Sequence, residues 1–296
     1  MSNLLLGLPP NVYRKTASDI VLKFPGVNVI PPRTHQEDHE FMQELFCERT
    51  RPCDRYPDII ISPDPEVHGN HKWIEESGYF EEFNSTPQKL SLYLSSYIEP
   101  APCRCVTIIG VIPVIIIFNK NSGVSVSSWS DLYNVAQKGR IVTPPEDTPL
   151  PDIYRYYIRK VLGDKAPLVF EKTDHLLYPL DINKAVDEGR YDAGVLIPAF
   201  SRNSRLGNIR TCYPAEGIIG LPVAVLQRKG RSKITDGIVD YFLSDEYQEF
   251  LSSSGDMIPV SGNVSLPEGI TADTTLIWEG WELFEKLMYP DPALIL

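Results

Sequence analysis

Four of the five histidines fall into two close pairs, His35-x3-His39 and His68-x2-His71. The first pair is spaced i, i+4 on the start of a predicted helix, so both rings share one face. Neutral imidazoles at such spacing suit a transition metal or a metal chelate, which makes His35, His39, His68 and His71 the metal-ligating candidates. Exposed polar surface is the competing account, with Glu37, Asp38 and Glu40 solvating the same helix end. Arg33 lies beside the first pair, and Arg202 and Arg205 lie together in the second half of the chain. Guanidinium forks hold carboxylates and oxyanions bidentately and do not titrate at neutral pH. An anionic solute, or a metal held by an anionic chelator, suits these arginines better than a free cation or a neutral sugar. The alternative is that they offset nearby acids at the surface.

Nothing in the chain spells out bond-making chemistry. It contains no GxSxG, HExxH, phosphate-loop or GxGxxG motif, so no catalytic residue is named. The five cysteines (Cys47, Cys53, Cys103, Cys105 and Cys212) are odd in number and sparse, and read as reduced, partly buried thiols. Cys103-x-Cys105 lacks the CxxC spacing of a zinc knuckle or a redox motif. Lys and Arg total 28 against 39 Asp and Glu, a formal charge of −11, which argues against a nucleic-acid partner.

The elements that must position these residues are short, because 26 of the 296 residues are proline. Leu4 to Leu8, Val27 to Ile30 and Asp58 to Ser62 read as apolar strands, alternating with helices that follow Asn11, a candidate cap, and Thr34. Strands apolar throughout belong to a parallel sheet covered on both faces. A helix is predicted near Gln88 to Tyr97. Val106 to Asn119 is a long β-rich stretch with a bend expected at Pro113, and Gly217 to Leu226 is a second, carrying Pro222. Between them lie helices opening at Ser130, Asp152 and Ile182 and strands at Gly139–Thr143 and Tyr191–Pro198. The tail is predicted helical over Lys233–Ser252 and Thr275–Met288. No stretch reaches the ~20 apolar residues of a membrane helix. Met1 to Pro9 lacks the basic region of a secretory signal. The location is therefore cytoplasmic if the sequence is complete, and periplasmic or extracellular if an export signal has been removed.

These pieces, in this order, resemble the type II periplasmic (solute) binding proteins, and among them the ferric-iron-like substrate-binding proteins of ABC importers. The resemblance rests on Tyr56-Pro57-Asp58-Ile59-Ile60-Ile61-Ser62, the crossing Val111 to Lys120, and Ser128-Trp129-Ser130-Asp131-Leu132 with Gly139-Arg140-Ile141. It rests equally on Glu188 to Gly194, the return crossing Pro214 to Val225, and Tyr241 to Leu251 followed by Ile258-Pro259-Val260. It implies an α/β fold of two doubly wound lobes joined by two hinge strands. Residues 1–112 and 221–296 would form lobe one, and 113–220 lobe two. The tyrosine pair of the family's iron binders is absent from Pro198-Ala199-Phe200-Ser201-Arg202-Asn203, so bare ferric iron is not the expected cargo.

In open parallel sheets the ligand lies beyond the carboxyl ends of the strands, where helix N-termini point their N–H groups. The loops at those ends supply the expected ligand-binding set: Asn11, Arg33, His35, Ser62, Asp64, Thr148, Phe200, Arg202 and Glu216. Helix capping and turn chemistry compete for each of them. The resulting expectation is a monomeric protein that captures a small polar solute in an interlobe cleft by hinge closure and delivers it to an ABC importer permease. No cofactor is expected, and a metal or metal chelate enters only as ligand. A cytosolic enzyme or ligand sensor on the same two-lobed fold is the alternative.

Overall fold

A computed structural model describes residues 2–30, 57–64, 71–82, 89–95, 103–145, 149–202, 204–230 and 234–288. In chain order the elements are β1 (Ser2–Leu6), α1 (Pro10–Lys23), β2 (Val27–Ile30), β3 (Ile59–Ser62), α2 (His71–Glu76), β4 (Thr107–Asn119), α3 (Asp131–Lys138) and β5 (Ile141–Thr143). There follow α4 (Pro149–Leu162), α5 (Ala166–Glu171), β6 (Thr173–His175), α6 (Pro179–Asp187), β7 (Ala193–Leu196), α7 (Pro198–Ser201) and β8 (Ile209–Cys212). The last are β9 (Ile218–Gln227), α8 (Ile234–Leu243), α9 (Asp245–Gly255), β10 (Ile258–Pro259), β11 (Leu276–Ile277) and α10 (Trp281–Met288).

The chain divides into two compact units. The first comprises Met1–Ile112, Leu221–Pro267 and Glu279–Leu296, and the second Pro113–Gly220 with Glu268–Trp278. Residues 268–278, expected in lobe one, thus belong to the second unit. The expected helix over Thr275–Met288 is instead the strand β11, an irregular link with Gly280 at φ 85°, and the shorter helix α10.

In the first unit β1 pairs in parallel with β2 and β3, and β3 pairs antiparallel with β9. The β-branched run Ile59-Ile60-Ile61 is buried on both faces, as is Leu4 to Leu6. Helix α1 covers this sheet with Val12, Thr16 and Ile20, one face at i, i+4 and i+8, all fully buried. Its cap is Pro9, not Asn11. Pro10 has no N–H to satisfy and opens the helix, while the Pro9 carbonyl accepts from the N–H groups of Val12 and Tyr13. Val21 is exposed, because the buried stripe runs through Thr16 instead. The helix expected near Gln88–Tyr97 is, among the described residues, a single 3₁₀ turn at Leu92–Leu94. The tail helix expected over 233–252 is two helices, because Ser244 adopts an extended conformation and its hydroxyl accepts from Tyr247 N–H, capping α9.

In the second unit β7 and β8 pair antiparallel with the later half of β4, and β5 lies parallel between β6 and β7. The core is built on Ile115, Ile117, Val142, Ile182, Val186 and Leu196. Strand β11 adds in parallel to the start of β9. Pro113, the expected bend, lies inside one continuous strand, between the stretch of β4 that pairs with β10 and the stretch that pairs with β7. Helix α6 stops where expected, at Gly189, whose φ of 74° only glycine adopts readily.

Candidate functional site

In the first unit the carboxyl ends of β1 and β3 meet. The Gly7 N–H donates to the Ile61 carbonyl at 2.6 Å, and a Cβ at Gly7 would stand 3.0 Å from that oxygen. Only glycine lets the backbones approach this closely, and the approach brings Gly7 beside Ser62. The Ser62 side chain is buried, and its Oγ accepts from the Asp64 N–H at 3.1 Å, which sets the turn that carries Asp64. Asn11 donates from Nδ2 to the Ser254 carbonyl at 2.7 Å, tying the first turn of α1 to the end of α9.

In the second unit the corresponding edge is formed by β5, β6 and β7. Thr143 is buried, and its hydroxyl lies 2.9 Å from His175 Nδ1 and 3.2 Å from the Pro144 carbonyl. The same Nδ1 lies 2.8 Å from the Pro144 carbonyl. A carbonyl can only accept, so this contact is a hydrogen bond in which a protonated Nδ1 donates. His175 ends β6, half-buried, with Leu177, Tyr178 and Leu180 following as exposed apolar residues. Sequence reasoning passed over His175 because it has no partner at ligand spacing. The signal was its place at the end of a short strand after a helix.

Phe200, in α7, packs against the core of this unit, and its carbonyl accepts from Asn183 Nδ2. Arg202 and Arg205 are exposed on the loop that follows. Asp187 holds that loop. Its carboxylate accepts from Ser204 Oγ at 2.6 Å, Leu206 N–H at 2.7 Å and Asn208 N–H at 3.0 Å. Burial pushes the Asp187 carboxyl up, but these hydrogen bonds outweigh it and leave it below the ordinary carboxylate range.

Glu216 performs a local task. Its two carboxylate oxygens each accept at 2.9 Å, from the N–H groups of Trp129 and Ser130, just ahead of α3. The charge therefore satisfies donors at the helix entrance and faces its positive end. Burial raises the Glu216 carboxyl, and the hydrogen bonds from Ser130 and Trp129 lower it further than burial lifts it. The indole of Trp129, fully buried, completes the joint by donating to the Gly217 carbonyl at 2.9 Å.

Arg33, His35, His39, His68 and Thr148 lie outside the described residues. His71 opens α2, with its ring edge-on to Trp281 at 5.6 Å between centroids. Among the described residues no group of three or more His, Cys, Asp or Glu side chains could hold a metal ion. Cys103, Cys105 and Cys212 are free, buried thiols. No described helix is long and apolar enough to cross a membrane.

The family described as bacterial extracellular solute-binding protein matches residues 54–287. None of the curated proteins matches the chain. Among solved structures, the periplasmic binding protein P5PA is similar with a TM-score of 0.74 at 18% identity, over 99% of this chain and 97% of that one. The apo ferric ion-binding protein A of Pasteurella haemolytica gives a TM-score of 0.71 at 13% identity, over 99% and 96%. The periplasmic binding protein AfuA of Actinobacillus pleuropneumoniae, with exogenous fructose-6-phosphate bound, gives 0.68 at 15% identity, over 99% and 96%. At these identities the likeness is one of fold.

Proposed function

Because the chain belongs to the bacterial extracellular solute-binding proteins, we propose that it captures a small anionic solute, or a metal held by an anionic chelator, outside the cytoplasm for an ABC importer. The observation that carries this reading is the polar edge at the carboxyl ends of β5 and β6, where Thr143 and His175 are fixed by the Pro144 carbonyl. Ser62 and Asp64 occupy the equivalent ends in the first unit. Such pre-set groups lower the ordering cost of binding. Arg202 and Arg205 supply positive charge on a loop that Asp187 fixes. Binding without bond-making fits the family, and closure would come from hinge motion. The protein would act as a monomer that hands its ligand to a permease.

Isothermal titration with fructose 6-phosphate, inorganic phosphate and ferric citrate tests the reading, with wild type, His175→Ala, Ser62→Ala and the Arg202→Ala, Arg205→Ala double variant. At least one probe should bind wild type, and each variant should bind it about tenfold more weakly, the scale of one lost charge-assisted hydrogen bond. Equal affinity in the arginine variant would remove the anion-binding role of these residues. Turnover of a bound metabolite would overturn the reading as a binding protein.

A further inference from the structure

Cys103 and Cys105 stand just ahead of β4, in the first unit, and both are buried. The chain turns between them. The Val106 N–H donates to the Cys103 carbonyl at 3.3 Å, which closes Cys103-Arg104-Cys105-Val106 as a β-turn. The Cys103 sulfur lies over that turn, where it accepts from the Cys105 and Val106 N–H groups. The Cys105 thiol donates to the Phe80 carbonyl at 3.7 Å, and Phe80 in turn pairs with Arg228, just beyond β9. A chain that folds back brings the first and third residues of a turn to about 5.5 Å between Cα atoms, within the ~4.4–6.8 Å that a disulfide bridges. Among the described residues no other cysteine competes within this unit, since Cys212 belongs to the second.

We propose that Cys103 and Cys105 join in a disulfide while the chain folds in an oxidising compartment, and that packing of the turn then locks the bond. The oxidant is a small or protein disulfide. The Cys105 thiolate attacks it and releases one thiolate, forming a mixed disulfide; the Cys103 thiolate then attacks the Cys105 sulfur and releases the second. Both cysteines give up their protons, and two electrons leave with the pair of released thiols. The order of events follows from the surroundings. Burial raises both thiols, Glu75 adds to the rise at each, and Glu82 and Glu81 add to it at Cys105. The thiolate is the attacking species, so exchange is slow once the turn is packed. During folding both sulfurs are exposed, and the short loop between them closes at little entropic cost. Extracellular proteins fold where such oxidants act, whereas a chain folded in reductant keeps the free thiols described above.

The test uses the full chain. Trypsin cuts after Arg104, so Cys103 and Cys105 leave on different peptides, 90–104 and 105–120, unless a disulfide joins them. Chain unfolded in denaturant with dithiothreitol is refolded either with mixed reduced and oxidised glutathione or with dithiothreitol alone. Each sample is then alkylated in denaturant and digested without reduction. The linked peptide pair should be at least about tenfold more abundant after refolding with glutathione, and should separate on reduction. Cys105→Ala should abolish it. Glutathione added only after folding in dithiothreitol should form the link about tenfold more slowly. Should refolding fail, the chain exported to a bacterial periplasm behind a cleavable signal supplies the same digest. Cys103 and Cys105 recovered as alkylated thiols from the glutathione-folded or exported chain, or joined to other cysteines, would overturn the proposal. Linkage as fast in the prefolded chain would overturn the locking.

Discussion

Glu216 holds its charge on the Trp129 and Ser130 N–H groups, and protonation would weaken both bonds by removing that charge. Its folded carboxyl titrates below its ordinary value, so its contribution is complete above the unfolded pKa and is lost as pH falls through the folded one. Glu216→Gln should cost about 1–2 kcal/mol at neutral pH, the scale of a lost helix cap. Thermal melting of both proteins from neutral to acid pH should show that difference shrinking toward zero; a difference constant with pH would refute the capping role. The cysteines make a second residue-scale prediction. Burial pushes the Cys103 thiol up to about 12 and Cys212 to about 11, and raises Cys105 as well. Since the thiolate is the nucleophile, peptides carrying these three should escape iodoacetamide at about pH 8 in the folded protein and react fully in denaturant. Labelling of all three without denaturant, read by mass spectrometry, would contradict their burial. Residue type made the burial of these thiols legible. It did not reveal what Glu216 does, because a carboxylate that caps a helix and one that binds a ligand look alike until its neighbours are placed.

Gln248 shows how one side chain can hold several elements together. It is fully buried in α9. Its Nε2 donates to the carbonyls of Ile109 in β4 and Phe242 in α8, at 2.8 and 2.7 Å. Its Oε1 accepts from Val260 N–H at 2.7 Å, beyond β10. Gln248→Leu keeps the volume but orphans these backbone groups, which should cost about 3 kcal/mol or more in chemical denaturation. Gln248→Glu should be worse at neutral pH than in mild acid, because a carboxylate oxygen would face two carbonyls and only its protonated form could donate. A Gln248→Leu protein as stable as wild type would show that the network is dispensable. At this scale the sequence told most where one residue property decided the outcome: Ile59 to Ser62 as a strand, Gly189 as a helix stop. It misled where tertiary pairing decided. Thr275 to Met288 has a helical apolar pattern, yet Leu276 and Ile277 gain more by pairing with β9 than by starting a helix that Gly280 would interrupt. The break at Ser244 was legible in principle, since a serine followed by Asp245 and Glu246 is an N-terminal signature inside an otherwise helical run.

At the scale of the whole molecule, charge separates the ligand classes that the loops leave open. The chain carries −11, and an approaching solute feels that field over the Debye length, ~10 Å at 0.1 M salt. For an anion the field opposes approach, so added salt should speed association; for a cation salt should slow it, and for a neutral chelate the rate should stay flat. Once the ligand is seated, the local groups dominate, and dissociation should respond far less. With fructose 6-phosphate as probe, stopped-flow association should therefore rise about twofold or more between about 20 and about 200 mM salt. Replacing Arg202 and Arg205 by alanine makes the chain two charges more negative, and removes them from a loop at the proposed anion site. The double variant should bind more slowly at low salt and gain more from screening than wild type does. An association rate that falls with salt would point instead to a cationic ligand, and would set the histidines, rather than the arginines, at the centre of recognition.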